Sequence, residues 1–281
     1  MATKKAASTN KKAPVKTSTS SSAKTTVKTV KTVSVSASAS QTGLSSHIVT
    51  SLRSAKLWRA LAAEFIGTFL LASVIIAGQG QPIFVLFALV GIVLLVGAIS
   101  GAHVNPAITV GAWATRRIGW LRAVGYILVQ LLGAAVAYLV FNAFIGGAGA
   151  VSEQQQLYGQ TAPALFAAAD LANINHKEWY VFFAELLGAS ILGLAYASAT
   201  RTVDRLTSAF TIGLGIFVAL MITVTVAGYV SASAIFNPAV AISLQAYDAN
   251  VWAYAIYALA PVIGAVVGFI VHDLVRTKEV I

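Results

Sequence analysis

Ser100-Gly101-Ala102-His103-Val104-Asn105-Pro106-Ala107-Ile108-Thr109 and Ala232-Ser233-Ala234-Ile235-Phe236-Asn237-Pro238-Ala239-Val240-Ala241 share one design. In each, a run of small residues leads into Asn-Pro-Ala, and a short apolar segment follows, 107–115 in the first and 239–247 in the second. Asn is a favoured helix N-cap and Pro a favoured first helical residue. Each stretch therefore reads as a loop that starts a helix. Spanning a bilayer takes about 20 apolar residues, so each segment predicts only a half-helix. One Asn-Pro-Ala would carry little weight, because Asn-Pro turns are common. Two in matched settings decide the fold.

Around these stretches lie six long apolar runs, at about 59–78, 83–100, 123–145, 179–199, 206–230 and 251–275. The chain is 58% hydrophobic and 10% charged, against roughly 25% charged in soluble domains. The link Gln79-Gly80-Gln81-Pro82 is so short that the first two runs form an antiparallel hairpin. The halves echo each other. Glu64-Phe65-Ile66-Gly67 matches Glu185-Leu186-Leu187-Gly188, and Gln130-Leu131-Leu132-Gly133-Ala134 matches Pro261-Val262-Ile263-Gly264-Ala265. Each half holds three runs, an odd number, so the second inserts upside down. The fold class is an all-α membrane protein of six transmembrane helices and two membrane-embedded half-helices, with repeats at about 57–145 and 179–275. The half-helices then enter from opposite faces. Irregular backbone at that depth is tolerated only where it is buried in protein or lines a cavity.

The formal net charge of +10 is concentrated at one end. Nine Lys and two Arg precede Glu64, and no acidic residue does. The remainder is nearly balanced, which argues against a nucleic-acid-binding body. Residues 1–55 are rich in Ala, Ser, Thr, Lys and Val and poor in large apolar groups. They read as a disordered basic tail suited to anionic headgroups, with some transit-peptide character. The channel domain is taken as 56–281. Arg116, Arg117, Arg122, Arg201, Arg205, Arg276 and Lys278 fall on the tail's side of a six-span topology. Both termini are therefore expected in the cytoplasm, with the acidic loop 146–178 outside. Trp58, Trp120, Trp179 and Trp252 lie at span ends, as interfacial anchors do.

At the midplane, each half-helix N-terminus would present a partial charge of about +0.5. Asn105 and Asn237 add amide donors beside that field, and the loop carbonyls before them supply acceptors. Such a path satisfies a single-file water and repels a cation. Glu64 and Glu185 lie within apolar spans, where a carboxylate needs a partner. Either each bonds backbone N–H groups of the Asn-Pro-Ala loops, or each pairs near the interface with water or, for Glu64, Arg59. His103 is expected at the cytoplasmic mouth, lining or gating the pore, or held neutral on a loop carbonyl. Gln130 is a candidate for bonding between helices or to the Asn-Pro-Ala loops, and His272 and Asp273 are expected to be interfacial. With no Cys and no cluster of His and carboxylates, neither a metal site nor a cofactor is expected. No catalytic set argues for an enzyme, and no buried Lys, Arg or acidic chain argues for a coupled transporter.

These stretches resemble the aquaporin, or major intrinsic protein, family. Ser100 to Thr109 is similar to its first signature loop, Ala63-Glu64-Phe65-Ile66-Gly67-Thr68-Phe69-Leu70 to its first helix, and Tyr126 to Ala134 to its third. The likeness runs over about 57–275. It implies a right-handed bundle, a homotetramer with one pore per protomer, and the pore signature Asn105, Pro106, Ala107, Asn237, Pro238 and Ala239. It also favours the loop-supporting role for Glu64 and Glu185. The second signature departs from the family's usual Asn-Pro-Ala-Arg, because Val240 stands where Arg is expected. Ala241 stands where glycerol-conducting members carry Asp. The family's spacings put the other selectivity-filter positions at Val85, Thr225 and Ala234, with Thr225 facing the pore. The expected function is a passive channel for water and/or small uncharged solutes, in the plasma membrane. Glycerol-like polyols, ammonia or hydrogen peroxide are alternative permeants, and a closed-pore structural or adhesion protein is an alternative class.

Overall fold

The computed structural model describes residues 48–147, 152, 154, 157–159 and 164–276. The expectation of a disordered tail falls mainly on residues outside these. Within the stretch assigned to the tail, 48–52 are helical, and the Trp58 indole N–H closes that turn on the Leu52 carbonyl at 2.7 Å.

Among the described residues, six helices are long and apolar enough to cross a membrane. They are α1 (Ala55–Ala77), α2 (Pro82–Ser100), α4 (Trp120–Gly146), α5 (Glu178–Ala199), α6 (Arg205–Gly228) and α8 (Val251–Val275). Two short helices interrupt the pattern, α3 (Pro106–Ala114) and α7 (Pro238–Ser243). Pro fills the first position of both, where its missing N–H costs nothing. The end of the bundle where α1 begins is termed proximal here, and the opposite end distal.

α7 is shorter than the expected segment 239–247. It stops at Ser243 because Gln245 takes a left-handed φ of 53°. The chain is then anchored by Tyr247, whose hydroxyl lies 3.2 Å from the Pro238 carbonyl and 3.0 Å from that of Tyr257. The Tyr257 carbonyl is available because Pro261, four residues on, has no N–H to give it. The same stretch, Ala255–Leu259, is wound as a π-helix.

Packing follows the repeat. α4 crosses α1 where Gly133 faces the Phe65 carbonyl: a Cβ there would lie 2.6 Å from that oxygen. α8 crosses α5 in the same way, with Gly264 against the Leu186 carbonyl. These glycines are the matched pair of the sequence repeat, and what they provide is close backbone approach. At the proximal end, Arg117 bonds Asp273 at 2.7 Å and the Thr200 hydroxyl at 2.6 Å, tying the first half to the second. Asp273 thus has a structural partner beyond the interfacial place expected for it.

Candidate functional site

The site is built where α3 and α7 meet, N-terminus toward N-terminus. The Asn105 side-chain oxygen caps α3 by accepting from the Ala107 N–H at 2.8 Å. Asn237 does the same for α7, accepting from the Ala239 N–H at 3.0 Å. Each amide nitrogen then reaches across the repeat. Asn105 Nδ2 donates to the Phe236 carbonyl, and Asn237 Nδ2 donates to the Val104 carbonyl, both at 2.9 Å. A primary amide carries two donor hydrogens, so one remains on each Asn beyond this cross-link.

Behind the loops stand the two buried carboxylates. Glu64 accepts from the N–H groups of His103 at 2.9 Å and Val104 at 2.7 Å. Glu185 accepts from Ile235 at 2.5 Å and Phe236 at 2.6 Å. Neither residue is exposed to solvent, and neither pairs with an arginine among the described residues. One helical turn on, Gly67 and Gly188 leave room for the loops. A Cβ at Gly67 would lie 2.6 Å from Val104, and one at Gly188 would lie 2.6 Å from Phe236. Ala102, Val104 and Phe236 take positive φ of 48°, 43° and 34°. A side chain holds that conformation only when its surroundings over-determine it, which the carboxylates and the Asn cross-link do. The strained backbone turns loop carbonyls away from their own chain. Gln130 joins this support, donating to Glu64 at 2.7 Å and to the Thr109 hydroxyl at 3.0 Å.

Two cavities approach the junction. The distal one is about 250 Å³ and the proximal one about 200 Å³. Val85, Ala234, Val240 and Asn237 lie on the wall of the distal cavity. Thr225 does not, and its place is a correction. It is exposed, and its hydroxyl donates back to the Met221 carbonyl at 2.9 Å. The wall position belongs to Val224, together with Leu220. One residue turns a helix by about 100°, so a spacing count that is off by one points the side chain outside. His103 is a second correction. It is buried and lines neither cavity. Its ring nitrogen Nδ1 lies 3.2 Å from the Thr109 hydroxyl, and the ring sits edge-on to Tyr126.

Two features of the walls carry no distinct signal in the sequence. Phe166, from the segment before α5, covers part of the distal cavity. Its segment is held by the Ala168 N–H on the Leu244 carbonyl and the Ala169 N–H on the Ser233 hydroxyl, both at 2.9 Å. A lone aromatic in a long loop gives no periodic signal. Tyr196 lines the proximal cavity. It sits in an apolar span that reads simply as packing.

The sequence profile described as "Major intrinsic protein" matches residues 51–272, most of the chain. The chain belongs to the major intrinsic protein family. Among its relatives, Aquaporin AqpM of Methanothermobacter marburgensis is 29% identical over 68% of this chain and 74% of its own length. Glycerol uptake facilitator protein-like 6 of Lactiplantibacillus plantarum is 31% identical over 74% of this chain and 94% of its own. The X-ray structure of the aquaglyceroporin from Plasmodium falciparum superposes with a TM-score of 0.60 at 22% identity. It covers 78% of this chain and 96% of that one, which establishes the shared fold. The protein is thus a multi-pass membrane protein and, as a family member, a passive channel for water or small uncharged solutes.

Proposed function

We propose that the channel is permissive, conducting small neutral solutes together with water, because its distal constriction is apolar. The observation that carries this is the wall formed by Val85, Val224, Ala234 and Val240, which holds no charged side chain. A water passing such a ring loses hydrogen bonds that the wall does not replace. A solute with methylene surface loses fewer. Acceptors remain beside the ring, since the carbonyls of Ser233, Ala234 and Ile235 accept no hydrogen bond from the described residues. Cation exclusion rests on desolvation in the apolar ring and on the facing ends of α3 and α7. Asn105 and Asn237 line the junction, and Glu64 and Glu185 hold its loops.

The proximal end is the cytoplasmic one, as Arg116, Arg117, Arg122, Arg201, Arg205 and Arg276 gather there. The plasma membrane and a homotetramer complete the reading, the latter on the family's habit. The relatives named for glycerol uptake and for aquaporin function leave both permeant classes open. Stopped-flow light scattering on proteoliposomes separates them. Re-swelling in a panel of small neutral solutes should be fast beside protein-free liposomes. A preparation that passes water and excludes every solute would refute permissiveness.

A further inference from the structure

The two halves of the pore are not equivalent, and one side chain makes the difference. Tyr196 follows Glu185 at the same distance in sequence as Ile75 follows Glu64. The two positions are therefore equivalent in the inverted repeat. Each faces a cavity: Ile75 the distal one, Tyr196 the proximal one. In the distal half, the loop carbonyls of Ser233, Ala234 and Ile235 are free among the described residues. In the proximal half the equivalents of Ala234 and Ile235, Ala102 and His103, face a side-chain donor, while that of Ser233, Gly101, accepts no hydrogen bond from the described residues. The Tyr196 hydroxyl donates to the Ala102 carbonyl at 2.8 Å and lies 3.2 Å from that of His103. The next carbonyl along, Val104, accepts from Asn237 as Phe236 accepts from Asn105 in the other half, and Asn237 itself lines the distal cavity.

The geometry also shows how little separates the cavities. Ile212 lines the proximal one and Ile216, one turn further along α6, lines the distal one. Four residues of helix rise about 6 Å. The route between the cavities therefore runs beside the carbonyls of Ala102, His103 and Val104, and the buried phenol stands on the first two.

We propose that Tyr196 determines the permeability of the proximal half of the pore, narrowing it with its ring and occupying with its hydroxyl the acceptors that a permeant would use. A water must compete with that hydroxyl for the Ala102 and His103 carbonyls. The resistance at Tyr196 then adds to that of the distal ring, which sorts the permeants.

The test compares wild type, Tyr196→Phe and Tyr196→Ile in liposomes at equal protein density, with protein-free liposomes as the baseline. Tyr196→Ile installs the residue that the first half carries at the equivalent position. Tyr196→Phe keeps the ring and frees the carbonyls. It should raise water permeability per protomer about two- to tenfold, the factor that one net hydrogen bond is worth. Tyr196→Ile should raise it further and admit glycerol and urea faster as well. A merely structural role for the hydroxyl would lower permeability or leave it unchanged in both variants, and either result overturns the proposal. If Tyr196→Ile does not fold, a rise in Tyr196→Phe still supports it and its absence still overturns it. If wild type does not exceed the baseline, conduction that appears only in the variants supports the proposal. Continued absence of conduction in folded variants overturns it.

Discussion

Glu185→Gln measures what holds the second pore loop in place. The carboxylate is buried and accepts from two consecutive backbone N–H groups, Ile235 at 2.5 Å and Phe236 at 2.6 Å, one on each oxygen. Gln has the same shape, but one of its two terminal atoms is a donor. Whichever way the amide turns, one backbone N–H faces an NH2 group. The variant loses one charge-assisted bond and keeps the other in a weaker neutral form. Bonds to a charged group contribute about 1.5–3 kcal/mol and neutral ones about 0.5–1.5 kcal/mol, so the net loss is about 2–4 kcal/mol. For a domain of this size each kcal/mol moves Tm by about 2–4 °C, which gives a fall of about 5–15 °C. The assay is size-exclusion chromatography of heated detergent samples, with water permeability measured in parallel. Permeability should fall too, because the Phe236 carbonyl that receives Asn105 is part of the same loop. A variant that melts with wild type and conducts like it would show that the carboxylate does not position the loop.

Two further substitutions follow from packing and orientation. Gly188→Ala places a methyl 2.6 Å from the Phe236 ring and should cost about 1–3 kcal/mol and reduce conduction, whereas Gly91→Ala, with no atom within 4 Å, should be silent; equal melting of the two would remove close approach as the reason for Gly188. Thr225→Val should leave water and solute permeabilities unchanged, while Val224→Thr, which brings a hydroxyl to the cavity wall, should favour water over glycerol. A loss of water flux in Thr225→Val alone would place Thr225 in the pore after all.

Much of the architecture is legible in the sequence because it is written twice. Six apolar runs and two Asn-Pro-Ala half-helices follow from length, capping and the repeat. The paired Glu-x-x-Gly motif combines the carboxylate that holds each loop with the gap that admits it. What is not legible depends on rotation about a helix axis or on contacts made by loops. Thr225 and Val224 are neighbours in sequence, and only the helix phase decides which one meets the cavity. Phe166 reaches the wall through two hydrogen bonds to distant segments. The end of α7 is set by a left-handed Gln245 and by the Tyr247 hydroxyl on a carbonyl freed by Pro261. Tyr196 looks like an ordinary span residue until its hydroxyl is seen on the loop carbonyls.

Val240→Arg shows whether an apolar distal ring sorts the permeants. Val240 is buried on the cavity wall, beside the carbonyls of Ser233, Ala234 and Ile235, which accept no hydrogen bond from the described residues. An Arg there would bring five donors and a permanent charge to acceptors already in place, and its bulk would fill part of the roughly 250 Å³ cavity. The measurement is the ratio of glycerol to water permeability in wild-type and Val240→Arg liposomes at equal protein density. The ratio should fall at least about tenfold, a change of about 1.4 kcal/mol in relative barrier, while water passage is kept or raised. An unchanged ratio in a correctly folded variant would contradict this, because Val240 would then not form the ring that sorts the permeants.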